Sequence, residues 1–209
     1  MRLIFTVIRF VIISSLISVA VAIAAAQPPG DKKSGAARRL AVKEKLIKEA
    51  PDDDARFDAA TKAAPLAFIA GDYVNAGMYA KDLLRQAKTM EDNWNYGNAL
   101  HVADLVLGRI ALKDGNVDEA KRLLLEAGRT PGSPQLDTFG PDMLFAKELL
   151  EKGENAAVIQ YLDLCSKFWK MEDGRLGRWK TSVQKGETPD FGPNLRYVFC
   201  EANSCQEQN

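Results

Sequence analysis

The sequence predicts an all-α fold: a short right-handed solenoid of three helical hairpins with an irregular C-terminal cap. Three observations predict it. From Asp54 to about Met171, Ala, Leu, Lys and Glu dominate and β-branched alternation is absent, so the periodicity is helical. The interruptions are short and carry Gly or Pro, as helix–helix turns do. The segments following Gly71, Gly115 and Gly153 also resemble one another.

The chain opens on a different kind of segment. Arg2 and Arg9 are the only charges in residues 1–26, and residues 10–26 carry none. The run ends in Ala24, Ala25 and Ala26. A positive start, an apolar middle and a small-residue end are the three parts of a secretory signal, which predicts cleavage near Ala26. The mature product is then secreted or periplasmic. The competing expectation is an uncleaved anchor in the cytoplasmic membrane. Its charge-free run of 17 residues sits at the short end of the roughly 17–25 needed to span hydrocarbon. Without a cysteine near the cleavage point, a lipoprotein is excluded.

Residues 27–36 (QPPGDKKSGA) read as a flexible linker, because Pro, Gly and Lys offer little to bury. Residues 37–50 form a charged helix with a narrow apolar stripe of Leu40, Ala41, Leu46 and Ile47. Pro51 stops it, and Asp52 to Asp54 are capping residues for the next helix. The repeat region, 51–171, divides into helices near 55–70, 73–90, 97–113, 117–128, 141–152 and 155–170. Residues 172–209 hold Gly174, Gly177, Gly186 and Gly192 with little periodicity. They read as an irregular cap anchored by Leu176, Trp179, Phe191 and Leu195, followed by a loose tail.

In each hairpin the turn glycine is followed by apolar residues nine and twelve positions later. These are Ala80 and Leu83, Leu124 and Ala127, and Leu162 and Cys165. The middle hairpin adds Leu107-Gly108, Ala111, Ala120 and a nearby Pro131. On these residues the chain resembles the tetratricopeptide repeat, in its exported bacterial form. Small residues at Gly108 and Ala120 suit a close helix crossing, and Gly115 suits a turn that needs positive φ. The turn glycines lie 44 and 38 residues apart, against about 34 in that family. The third hairpin has Val158 where the first two have Ala76 and Ala120. The resemblance covers one good repeat and two degenerate ones.

Composition narrows the function. The chain carries 28 basic and 28 acidic residues, so no basic stripe points to nucleic acid. There is one histidine, His101, and no Ser-His-Asp set, metal cluster or phosphate-binding loop. No catalytic residue, metal or cofactor is expected. Asp190-Phe191-Gly192 copies three letters of a kinase motif without the rest of it. Phe-Gly-Pro occurs at 139–141 and at 191–193, and both read as helix or turn starts with Pro first. Of the three cysteines, Cys165 falls in an apolar helical pattern and reads as buried. Cys200 and Cys205 are close enough to pair in an oxidising compartment.

Two groups of residues stand out as binding candidates. Asn93-Trp94-Asn95-Tyr96-Gly97-Asn98, leading to His101, is the densest polar and aromatic cluster. It is either a capping loop whose aromatics plug the gap between hairpins or the rim of a ligand site. The repeat resemblance also implies binding along a concave face lined by first helices. That points to Leu105, Arg109, Leu112 and Lys113, with Lys147 matching Arg109 in the third hairpin. Two cations in one groove suit a carboxylate or an acidic segment; the competing expectation is Arg109 pairing with a nearby Asp or Glu on the solvated surface. The expected protein is therefore a non-enzymatic module that binds a protein or peptide, or else a structural part of an envelope assembly. Membrane contact is expected only if the first segment stays uncleaved.

Overall fold

The computed structural model describes residues 32–195. Among them are nine α-helices and a 3-10 helix, and no strand, so the protein is all-α. The expected signal segment, Cys200, Cys205 and the tail lie outside the described residues.

Helix α1 (Lys32–Glu49) packs along α2 (Asp53–Ala70), which packs on α3 (Tyr73–Ala87). Next come α4 (Tyr96–Lys113), α5 (Val117–Gly128) and the short α6 (Pro134–Phe139). They are followed by α7 (Leu144–Leu150), α8 (Asn155–Cys165), α9 (Arg175–Gln184) and the 3-10 helix Gly192–Leu195. Besides its chain neighbours, α2 touches α4, α5 touches α8, and α7 touches both α4 and α5.

The three glycine turns are one motif repeated. Gly71, Gly115 and Gly153 have φ of 86°, 81° and 82°, a left-handed conformation that costs glycine nothing. In each, the next residue's N–H reaches back across the turn: Asp72 to Ala67 O (2.9 Å), Asn116 to Ala111 O (2.9 Å), Glu154 to Leu149 O (3.1 Å). These bonds satisfy carbonyls that a helix end otherwise leaves bare. Asp72 and Asn116 then cap the following helix with their side chains, whereas Glu154 makes no such bond.

Several boundaries differ from the sequence expectation, each for a visible reason. Helix α1 starts at Lys32, inside the segment read as linker, and Ala36 and Leu40 bury against the helices it covers. Helix α7 starts only at Leu144, because the Asp142 carboxylate accepts from Leu144 N–H (2.8 Å) and Met143 N–H donates to Asn194 O (2.7 Å). Helix α8 ends at Cys165. Lys170 N–H then donates to the Asp137 carboxylate (2.9 Å), turning Phe168 and Trp169 into the core. The cap expected to be irregular contains a regular helix, α9, with Leu176, Trp179 and Val183 buried. Those positions are spaced i, i+3, i+7, a period hidden in the sequence by Gly174 and Gly177. The two Phe-Gly-Pro copies meet: Asn194, after the second, donates to Phe139 O (3.0 Å) and Pro141 O (2.9 Å) of the first.

The apolar interior has two centres joined by α4. One gathers Phe57, Leu66 and Leu83 with Ala99, Ala103 and Val106. The other gathers Leu105, Leu124, Phe145, Tyr161, Trp169 and Trp179. Burying both faces of α4 explains why its sequence is apolar nearly all round. A side chain at Gly108 would run into the Phe145 ring, so α4 and α7 approach as closely as a missing side chain allows. Cys165 is a free, fully buried thiol whose pKa burial pushes well up.

Candidate functional site: an exposed tryptophan ridge

The loop joining α3 to α4 is held down by amide side chains. Asp54, Asp58 and Thr61 share one face of α2, at spacings of four and three. Asn93 Nδ2 donates to Asp54 Oδ1 (2.7 Å). Asn95 Nδ2 donates to Asp58 Oδ1 (3.0 Å) and lies 3.2 Å from Thr61 Oγ1. Asn98 Nδ2 donates to Asn95 Oδ1 (3.0 Å), and Asn95 N–H to Asn93 Oδ1 (2.8 Å). Asn95, Asn98 and Thr61 are buried, so this network lies where polar groups need partners. Partial burial raises the Asp58 carboxyl above its usual range, against the pull of its Asn95 hydrogen bond and of Lys62.

The other side of the loop rests on backbone. Thr130 Oγ1 donates to Gly97 O (2.5 Å), and a methyl group at Gly97 would overlap the Gly132 carbonyl. With Asn93 and Asn95 both turned inward, the residue between them is left outside: Trp94 is 54% exposed. Its indole stands between two hollows. One, of about 540 Å³, is lined by Glu91, Tyr96, Arg129, Pro131 and Pro134. The other, of about 420 Å³, is lined by Asp54, Thr89, Met90 and Asp92. Asn93 and Trp94 border both.

The structure brings together only part of the expected set. Trp94 and Tyr96 share the larger hollow, and Trp94 does not plug an interior gap. His101 lies elsewhere, fully buried between helices. Its Nδ1 sits 2.9 Å from Ala127 O, which requires the proton on Nδ1, and Nε2 has no hydrogen-bond partner among the described residues. Burial lowers its pKa to about 4, so the ring is neutral near pH 7.

The cations expected to line a groove are engaged within the fold. Arg109 makes a two-pronged contact with Glu148 (2.8 and 2.5 Å) and stacks over the Phe68 ring at 4.4 Å. Its side chain is only 11% exposed. Lys113 lies over Tyr73 at 4.6 Å, and Phe68 meets Tyr73 edge-on at 5.1 Å. Lys147 pairs with Glu151, the residue that follows α7 (3.0 Å). The carboxylate for Arg109 thus comes from α7 itself, and the residue beside Lys147 supplies it. Leu105 is buried in the core rather than lining a groove.

Sequence reasoning missed Asp54, Asp92, Arg129 and Pro134 as lining residues. The spacing of Asp54, Asp58 and Thr61 was the one available signal. Among the described residues no group of three or more His, Cys, Asp or Glu side chains is placed to hold a metal. No described helix is long and apolar enough to cross a membrane. Comparison with protein-family models, curated proteins and solved structures finds no match to this chain.

Proposed function

We propose that this chain is an exported, non-enzymatic interaction module of tetratricopeptide-like hairpins that docks a peptide or protein segment across Trp94. The observation that carries the reading is the ridge: a large aromatic side chain held out to solvent between two hollows by a buried amide network. Holding such a residue in one place before binding lowers the ordering cost of the complex. The repeat reading is supported by three glycine turns with the same left-handed glycine and the same backbone hydrogen bond, and by the contacts of α2 with α4 and of α5 with α8, equivalent helices of successive hairpins. Export rests on the sequence of residues 1–26 alone. A terminal mass measured from the native host separates cleavage near Ala26 from a retained membrane tether.

The binding reading is tested with a random peptide library selected on the full chain. Enriched peptides should lose binding on Trp94→Ala, with unchanged circular dichroism, and keep it on Lys147→Ala. Equal binding to the Trp94→Ala protein would remove the ridge from consideration.

A structural role in an envelope assembly is the second reading, and one observation favours it. Val42 and Leu46 on α1, and Val74 and Met78 on α3, are each one turn apart and 47–76% exposed. Such pairs suit burial against another subunit. A stable oligomer by light scattering, dispersed by Val42→Lys with Leu46→Lys, would favour assembly over peptide capture.

A further inference from the structure

We propose that the hollow on the α2 side of Trp94 receives a lysine or arginine side chain of a basic peptide segment. The inference rests on the ridge being the docking surface and names the chemistry it selects.

The hollow of about 420 Å³ is lined by Trp94, Asp54 and Asp92, together with Thr89, Met90 and Asn93. None of the described residues lining it is basic. An indole and carboxylates recognise the same thing: a cation on an apolar stem. The thioether of Met90 suits the methylenes of such a stem. The volume lies within the roughly 300–1,000 Å³ of small-ligand sites. Asp54 offers one oxygen to Asn93, and a carboxylate has further lone pairs for a second donor.

One local feature opposes a cation. The N-terminus of α2, with its partial positive charge, lies beside Asp54. Three consecutive carboxylates, Asp52, Asp53 and Asp54, occupy that end and outweigh it; among the described residues, Asp53 pairs with Arg56. The larger hollow has a different balance, with Arg129 as well as Glu91 in its lining. Cation selection therefore belongs to one side of the ridge.

A peptide, rather than a free small cation, is favoured because the two hollows share Asn93 and Trp94. A chain crossing the indole fills both, whereas a single small cation fills one. The whole molecule carries equal numbers of acidic and basic residues, so general attraction of a basic peptide is not expected.

The full chain is titrated with Ala-Lys repeats, Ala-Arg repeats, Ala-Glu repeats and free arginine amide, by calorimetry and by acrylamide quenching. Trp169 and Trp179 are 1% and 6% exposed, so quenching reads Trp94. Basic peptides should bind, shield Trp94 from acrylamide and weaken with salt. Trp94→Ala should weaken binding about fivefold or more, and Asp92→Lys about tenfold. Glu187→Gln, which removes an exposed carboxylate elsewhere, should change nothing. Binding of acidic peptides as tight as that of basic ones, or an indifferent Asp92→Lys, overturns the proposal. Free arginine amide binding as tightly as the repeats overturns the peptide part. If other peptides bind through Trp94 while basic ones do not, the ridge stands and the cation pocket falls. If no peptide depends on Trp94, both fall.

Discussion

His101 and Asp104 lie one turn apart on α4, both buried, and their titrations oppose each other. Burial drives the His101 pKa down to about 4, against 6.5 for an exposed ring. The unfolded chain therefore binds that proton first, and stability is lost as pH falls from 6.5 through 4. A shift of this size is worth about 3 kcal/mol. Burial, helped by Glu126 and opposed by Arg122, raises Asp104 from 3.8 to about 7. Here the folded chain holds the proton longer, so stability is lost as pH rises from 3.8 through 7. Between pH 4 and 6.5 the two slopes offset. Asp104→Asn should then raise stability at pH 8 by about 1–3 kcal/mol. It should also uncover a decline between pH 6.5 and 4 that the parent protein lacks. Urea unfolding at pH 8, 6 and 4.5 checks both, and an unchanged profile would refute the assignment.

At the scale of elements, the α3–α4 loop is the piece that decides where Trp94 points. Asn95 joins α2, the loop and the start of α4, through Asp58, Thr61 and Asn98. Asn95→Ala should destabilise the protein by about 1–3 kcal/mol, because it leaves buried polar partners unpaired. It should also broaden the Trp94 environment, seen as faster acrylamide quenching under native conditions. Unaltered quenching would mean that the loop is held by other means. The hairpin turns, by contrast, were legible in the sequence. Gly71, Gly115 and Gly153 marked them, and all three adopt the left-handed conformation that such a turn requires. Helix α9 was not read, because two glycines obscured a three-residue apolar stripe whose partners lie in α8 and at Phe191.

Across the whole molecule, α4 couples the two apolar centres. Leu105 faces one and Val106 the other, and both are fully buried. Leu105→Ala should cost about 2–5 kcal/mol, the usual penalty for a buried cavity. Because α4 contributes to both centres, unfolding should remain a single transition. Circular dichroism follows every helix, whereas tryptophan fluorescence weights the C-terminal centre through Trp169 and Trp179. Coincident curves support one cooperative unit, and separated curves would mean that the halves melt alone.

The all-α class, the α2, α4 and α5 boundaries to within two residues and the three turns were written in local signals: apolar period, capping residues and glycine position. Those signals act between residues a few positions apart, so one chain suffices to read them. Which polar residues face inward was decided only by packing. Asn95 finds Asp58 across 37 residues, and Arg109 finds Glu148 across 39. Such bonds exist only once three helices have set their spacing. That spacing buries His101, occupies Arg109 and leaves Trp94 outside, and no local pattern carries that information.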